Sequence, residues 1–262
     1  MGDAAALNPT AGLETYDVLG VTVAAVQIPS LIRKMEDWIN LRKMGHVIIF
    51  ANVHVVTEAQ HDEQFRTILN TSFNVPDGKP LIWIGRARGH DLKHRVYGPD
   101  LLVDFCEGTS VKGYRHFLYG GAPGVAEQLA AELERKFPGN VIAGTYSPPF
   151  RPLTPHEDAQ VVRMINAARP DVLWVGLGCP KQEKWAYEHR ERLEVPVIAA
   201  VGQAFDIHSG RTRQAPRWMR ESGLEWLFRL AKNPHRLWKR YVLRNSEFLW
   251  RLAIEKLQSK EA

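Results

Sequence analysis

The amino-acid sequence predicts an α/β fold: a doubly wound, mostly parallel, Rossmann-like sheet followed by a basic helical C-terminal appendage. Three observations carry this. From about residue 116 to 201, short continuous apolar runs alternate with segments of helical period, the pattern of parallel strands covered on both faces by helices. The 262 residues are 45% hydrophobic and 24% charged, enough apolar material for a sizeable core. Charge is unevenly spread: residues 211–262 carry 13 Lys/Arg against 5 Asp/Glu, a net of +8, whereas residues 1–210 carry 21 against 24, a net of −3. That tail also holds Trp218, Trp226, Trp238 and Trp250, half of the tryptophans. The chain therefore divides into an α/β body over 1–210 and a basic, Trp-rich helical appendage over 211–262.

Composition also excludes several classes. There is no run near ~18 apolar residues, so no transmembrane helix is expected. The N-terminus has no basic segment followed by an apolar stretch, so no secretory signal is expected. Cys106 and Cys179 stand alone, at no metal-ligand spacing. A disulfide scaffold and a zinc–cysteine centre are thereby excluded, and a reducing cytoplasm is the expected location.

Taken in order, residues 1–15 are Ala/Gly-rich and weakly patterned, a frayed start. A helix follows Pro29, with Leu31, Met35, Trp38 and Ile39 on one face. A strand over 47–50 leads to a helix over 55–69. The apolar Phe73-Asn74-Val75 runs into a Pro76-Asp77-Gly78 turn. Residues 81–110 read as helices separated by Gly89 and Tyr97-Gly98-Pro99. Then come a strand over 116–119, a glycine loop over 120–124, and a helix with Val125, Leu129 and Leu133 at four-residue spacing. A strand over 141–143 follows. Thr154-Pro155-His156-Glu157 combines a capping box with proline at the first helical position and opens a helix through Ile165. A strand over 171–177, a helix over 181–193 and a strand over 195–201 complete the body.

In open α/β sheets, ligands bind beyond the carboxyl ends of the strands. The residues there are Asn52, Asp77, the loop with Gly120, Gly121 and Gly124, the run Gly178-Cys179-Pro180-Lys181-Gln182-Glu183, and Gly202-Gln203-Ala204-Phe205-Asp206. Each admits two readings. The glycine loop is either a phosphate-binding turn at a helix N-terminus or a turn that needs glycine for geometry alone. Pro180 suits a first helical position, which would offer free N–H groups and Lys181 to an anion while Gln182 reads a ring edge; otherwise the run is a solvated helix start. Asp77 is a turn former or a catalytic carboxylate. Arg95 on its own is a surface cation. Asp206 caps the next turn or hydrogen-bonds a ribose. The histidines have no metal spacing, and the absence of any Asp-x-Asp motif argues against a metal-bound nucleotide diphosphate.

These segments, in this order, resemble the WecG/TagA/CpsF family of bacterial glycosyltransferases. The resemblance is carried by Asn52, Val75-Pro76-Asp77-Gly78, Arg95-Val96-Tyr97-Gly98, Tyr119-Gly120-Gly121-Ala122-Pro123-Gly124, and Gly178-Cys179-Pro180-Lys181-Gln182-Glu183-Lys184-Trp185. It continues through Val201-Gly202-Gln203-Ala204-Phe205-Asp206, Ala215-Pro216-Arg217-Trp218-Met219, Gly223-Leu224-Glu225-Trp226 and Arg236-Leu237-Trp238-Lys239-Arg240-Tyr241. The Gly-Cys-Pro-Lys-Gln-Glu-Lys-Trp and Gly-Leu-Glu-Trp runs are its most specific parts. The resemblance implies an inverting, metal-independent enzyme without a cofactor. It implies transfer of a sugar, of N-acetylmannosamine or glucose type, from a UDP-sugar to an undecaprenyl-diphosphate-linked sugar in cell-surface polysaccharide synthesis. By the same matching, Asp77 is the catalytic base. Asn52, Arg95 and Gln182 fall in the substrate pocket, and Gly120, Gly121, Gly124, Gly178, Lys181, Gln203 and Asp206 fall at the nucleotide. Two departures bear on the donor. Phe50 and Val53-His54 stand where many members have Thr and Pro-Glu, and Gln203 stands where many have glycine.

Implied partners are the UDP-sugar, the polyprenyl-diphosphate acceptor and the anionic inner face of the cell membrane, with no nucleic acid; the sequence leaves open whether the chain also forms a homo-oligomer. In the tail, Trp226, Leu227, Leu230, Leu237 and Trp238 suggest apolar faces on helices broken near Pro234, among Arg229, Lys232, Arg236, Lys239, Arg240 and Arg244. That combination suits an interfacial helix; the alternative is that the aromatics pack on the body and the charges are solvated. Two rival functions use the same features. A nicotinamide-dependent oxidoreductase would use the sheet, and a nucleic-acid-binding module would use the basic tail.

Overall fold

The computed structural model describes residues 10–232 and 234–261. Residues 1–9 of the expected frayed start lie outside them, as do the side chains of Arg236, Leu237, Lys239 and Arg240 in the tail.

The chain opens with a hairpin of β1 (Thr15–Val18) and β2 (Val21–Ala24). Its turn places Leu19 at φ +53° and Gly20 at φ +79°, as a two-residue hairpin turn of matching twist requires. Helix α1 (Ile28–Asn40) follows, with Leu31, Met35, Trp38 and Ile39 buried. Strand β3 (His46–Ala51) is buried throughout. The single helix expected over 55–69 is two, α2 (Val53–Ala59) and α3 (Glu63–Asn70). Asp62 causes the break, because its carboxylate caps α3 by accepting from the Phe65 amide at 2.9 Å. Next come β4 (Phe73–Pro76), α4 (Lys79–Ala87) and α5 (Gly98–Thr109). The body continues with β5 (Arg115–Gly120), α6 (Val125–Lys136), β6 (Val141–Tyr146) and α7 (Pro155–Ala168). It closes with β7 (Val172–Gly176), α8 (Lys181–His189), β8 (Val197–Ala199) and α9 (Ala204–His208). The expected capping box at Thr154 and Glu157 is present at the start of α7.

Strands β3 to β8 form one parallel sheet in the order β4-β3-β8-β7-β5-β6. Alternate residues feed two cores. On one face Ile48, Phe50 and Trp174 meet Leu31, Leu101, Phe105 and Leu129 of α1, α5 and α6. On the other, Val47, Ile49 and Val175 meet Val18, Phe65, Val161 and Trp185 of the hairpin, α3, α7 and α8. The chain leaves β5 through α6 toward β6 on one face and leaves β7 through α8 toward β8 on the other. The crevice between these neighbouring strand ends is where such a sheet binds ligands.

The tail forms α10 (Arg217–Ser222), α11 (Glu225–Lys232) and α12 (Pro234–Glu261). It is docked on the body. Phe248 is 1% exposed within the core, a burial that contributes about 1.5–3 kcal/mol. Along α12, Arg244 pairs with Glu58 at 2.9 Å and His61 Nε2 meets Glu247 Oε1 at 2.7 Å; at α10, Arg220 pairs with Asp100 at 3.2 Å. Trp218, Trp250, Leu243, Leu249 and Leu257 remain exposed. Among the described residues, no helix is long and apolar enough to cross a membrane.

Candidate active site

A cleft of about 970 Å³ opens at the carboxyl edge of the sheet, roofed by α11 and α12. Register and turn geometry deliver Asp77 to it. Ala51 pairs with Pro76 across β3 and β4, and the Asp77 amide donates to the Ala51 carbonyl at 2.7 Å. Gly78 then turns the chain at φ +140°, a backbone conformation that L side chains rarely adopt. The Val96 amide donates to the Pro76 carbonyl at 2.8 Å, which lays residues 95–97 along the end of β4 and sets Arg95 beside Asp77.

The resulting cluster is compact. Arg95 Nη1 lies 3.6 Å from Asp77 Oδ1, and the two side chains are 17% and 14% exposed. The other guanidinium nitrogen, Nη2, hydrogen-bonds Glu225 Oε2 from the tail. Tyr97 donates its hydroxyl proton to Glu225 Oε1 at 2.8 Å, and Gln203 Nε2 donates to the Tyr97 oxygen. The Arg95 guanidinium stacks over the Tyr97 ring at 4.0 Å.

These surroundings set the titration of the carboxylates. Burial pushes Asp77 up to about 7; Arg95 opposes this and the Glu225 charge reinforces it, with smaller effects from Arg229 and Asp100. Glu225 goes the other way. Burial disfavours its charge, but Arg95, the Tyr97 hydroxyl and Arg229 outweigh this and hold it below the usual glutamate range. Two carboxylates around one guanidinium thus have separated roles: Glu225 holds the charge, and Asp77 can exchange a proton near neutral pH.

Of the residues singled out from sequence, Asp77, Asn52, Arg95, Gln182, Gly121, Gly178, Lys181, Gln203 and Asp206 all line this cleft. Asn52 and Gln182 do so while serving the fold. Asn52 caps α2, accepting from the His54 and Val55 amides at 3.1 and 3.2 Å. Gln182 accepts from the Gly178 amide at 3.0 Å and donates to Glu183 and to the Ala200 carbonyl. It thereby ties the β7 loop to the end of β8. Pro180 precedes the first helical residue, Lys181. Asp206 is half-exposed at 46%, with Arg211 at 3.9 Å.

Gly120 and Gly124 do not line the cleft. A Cβ at Gly120 would sit 2.5 Å from the Gly176 carbonyl oxygen, so this glycine permits the close approach of β5 to β7. Gly124 caps α6 with φ +82°. Glu225 and Tyr97 were not singled out as site residues, although both lie in segments that carry the family resemblance. The available signal was an acidic residue between apolar neighbours in a strongly basic tail. Further basic groups line the cleft, namely Arg211, Arg213, Arg229 and Lys232, so its mouth suits a polyanion such as a diphosphate.

A sequence profile described as "Glycosyl transferase WecG/TagA/CpsF family" matches residues 16–262. The N-acetylglucosaminyldiphosphoundecaprenol N-acetyl-beta-D-mannosaminyltransferase of Bacillus subtilis (strain 168) is 30% identical to this chain over 231 residues, 88% of each. The protein of the same name from Bacillus spizizenii is 30% identical over 217 residues, 82% of each chain. That of Staphylococcus aureus (strain MW2) is 26% identical over 250 residues, 94% of this chain and 95% of its own.

Proposed function

The chain belongs to the WecG/TagA/CpsF family of glycosyltransferases, and we propose that Asp77 is the general base with which it transfers a sugar from a UDP-sugar to a polyprenyl-diphosphate-linked sugar. The proposed donor class is an N-acetylmannosamine- or glucose-type UDP-sugar. The proposed acceptor carries N-acetylglucosamine on undecaprenyl diphosphate, as the relatives' names describe for theirs. One observation carries the reading. A carboxylate whose burial brings it to about 7 sits in a deep cleft whose other charged walls are largely basic.

The step is a single displacement. The acceptor hydroxyl oxygen attacks the anomeric carbon and gives its proton to the Asp77 carboxylate. The bond from that carbon to the diphosphate oxygen breaks, and the leaving UDP takes the electron pair. Configuration at the anomeric carbon inverts. A base with pKa near the working pH is the effective choice, and such help is worth about 10²–10⁴-fold. Charge building on the leaving diphosphate is met by Arg95, Lys181, Arg211, Arg213, Arg229 and Lys232 along the cleft. These fixed cations support a metal-independent reaction. Gly121, Gly178, Gln203 and Asp206 are the proposed nucleotide contacts. Asn52 and Gln182 act by holding the strand-end loops that shape the substrate pocket.

The exposed tryptophans and leucines of α10 and α12, set among basic residues, support peripheral attachment to an anionic leaflet. There the lipid-linked acceptor would be met. The test is a panel of UDP-sugars offered with a short-chain polyprenyl-diphosphate-linked N-acetylglucosamine, in buffer with and without EDTA, and products read by mass spectrometry. The expected product is a lipid-linked disaccharide in both buffers. Release of UDP with no transfer to any acceptor would refute the assignment. Strict dependence on added magnesium or manganese would refute the metal-free part alone.

A further inference from the structure

Glu225 is a tail residue, yet it is 7% exposed and reaches three elements of the body at once. It meets Arg95 from the segment before α5, Tyr97 at the start of that helix, and Gln203 at the start of α9, the last at 3.4 Å. The local chain is built to deliver it. Helix α10 is pinned to α5 by Arg220–Asp100 at 3.2 Å. It ends at Gly223, which is left-handed at φ +83°, and the Leu224 amide then donates to the Met219 carbonyl at 2.8 Å. This reversal turns the first residue of α11 into the cleft.

What Glu225 does there follows from where Arg95 points. One guanidinium nitrogen hydrogen-bonds Glu225, while the nearest approach to Asp77 is 3.6 Å, beyond hydrogen-bond reach. Among the described residues, Asp77 Oδ1 has no hydrogen-bond partner. With Glu225 uncharged or withdrawn, Asp77 is the only other carboxylate in contact with that guanidinium among the described residues, and Arg95 is already beside it. We propose that Glu225 is a positioning residue that takes the closer contact of Arg95 and keeps the guanidinium from closing from ion-pair distance to a hydrogen bond with Asp77, so that the base is set for its task only while the 217–232 segment is docked. This rests on the reading of Asp77 as the base. Proton abstraction is then coupled to tail docking, and a cleft whose roof has lifted holds a weaker base.

Among the described residues, the charged groups that act most on Asp77 are Arg95, Glu225, Arg229 and Asp100, and Asp77 acts in turn on the Tyr97 hydroxyl. Removing the Glu225 charge acts on Asp77 in one direction by two routes. A like charge is lost, and an opposite charge is released toward it; both favour the carboxylate.

The experiment compares pH–rate profiles of the full chain and of Glu225→Gln, Glu225→Asp and Asp77→Asn. Glutamine keeps the shape and can still accept from Tyr97. Its acid limb in kcat/KM should move at least about one unit lower, and kcat at the plateau should fall several-fold with the donor KM unchanged. Glu225→Asp retains the charge and should restore the limb toward its original position. An unmoved limb in Glu225→Gln would overturn the proposal, and so would a loss of kcat and a rise in KM with no displacement in pH, which is what a purely structural latch gives. Asp77→Asn separates the two claims. If that variant keeps the acid limb, the base reading itself fails; if it loses the limb, the Glu225 result stands on its own. Should Glu225→Gln not fold, Arg220→Ala decides, because it loosens the α10 anchor on Asp100: its acid limb should also move lower, and an unmoved limb with a lowered kcat would overturn the proposal.

Discussion

Replacing Asp77 by asparagine should separate stability from catalysis, because the same burial governs both. The folded carboxyl titrates at about 7 against an ordinary value of 3.8. A raised carboxyl binds its proton more tightly in the native state than in the unfolded one, so its contribution to stability falls as pH rises from about 4 to about 7. At pH 8 the ionised group costs up to about 4 kcal/mol, from roughly three units at 1.36 kcal/mol each. Asparagine carries no charge and removes that cost. Thermal and urea unfolding at pH 8 should therefore show the variant to be as stable as the parent or more so, with the gain shrinking toward pH 5. Transfer should fall at least ~100-fold, since asparagine cannot take the acceptor's proton. In the parent, kcat/KM should climb about tenfold per unit up to pH 7 and then level; in the variant that limb should be gone. Near-normal turnover, or an unchanged limb, would refute the argument. A variant that lost activity by losing its fold would show in the same unfolding curves.

Three further outcomes follow from other parts of the molecule. Gly120→Ala places a Cβ 2.5 Å from the Gly176 carbonyl oxygen at φ +133°, and should cost about 2–4 kcal/mol in chemical denaturation; a neutral effect would contradict the close-approach account of β5 and β7. His116 is fully buried, accepts from Trp174 Nε1 at 3.1 Å, and is pushed down to about 4 by burial. Its neutral form is the native one, so its own contribution to stability is full above about 6.5 and is lost as pH falls toward 4, by roughly 3 kcal/mol, opposite in sign to that of Asp77. His116→Gln should raise stability at pH 5 relative to pH 7 by comparison with the parent, and an unaltered slope would count against this. Sedimentation with anionic vesicles should weaken as salt rises, because a net charge of +8 in residues 211–262 contributes about 1 kcal/mol per free basic group near the surface. Salt-insensitive binding would point to the exposed tryptophans and leucines alone.

The parallel sheet was legible because its strands are short apolar runs, as in 47–50 and 172–175, closed at their carboxyl ends by asparagine or glycine. The β1–β2 hairpin was not. Its strands have four residues each, and a leucine occupies the positive-φ turn position where Asn or Asp usually signals a hairpin. The helix expected over 55–69 hid a break, because Asp62 reads equally well as a surface acid and as a cap. At the site, strand-end position found Asp77, Lys181 and Asp206 by topology alone, while Arg95 had only its sequence neighbours to speak for it. It is the Val96–Pro76 hydrogen bond that brings Arg95 to Asp77, and such a contact has no local sequence signature. Glu225 lies 130 residues from Arg95 in the chain. Its role depends on how the tail folds back, which charge counting cannot reveal. The glycine loop shows the converse. Gly120 and Gly124 look like phosphate-binding glycines in sequence, yet their geometry answers to strand packing and helix capping.

The most direct test of the single-displacement account is the anomeric configuration of the product. The enzyme would be given an α-linked UDP-N-acetylmannosamine and a short-chain polyprenyl-diphosphate-linked N-acetylglucosamine, and the one-bond carbon–proton coupling at the new linkage measured by NMR. A carboxylate base that only takes the acceptor's proton predicts a β-linked product. An α-linked product would mean retention, by two successive displacements or by attack from the face the diphosphate leaves, and would contradict the role proposed for Asp77.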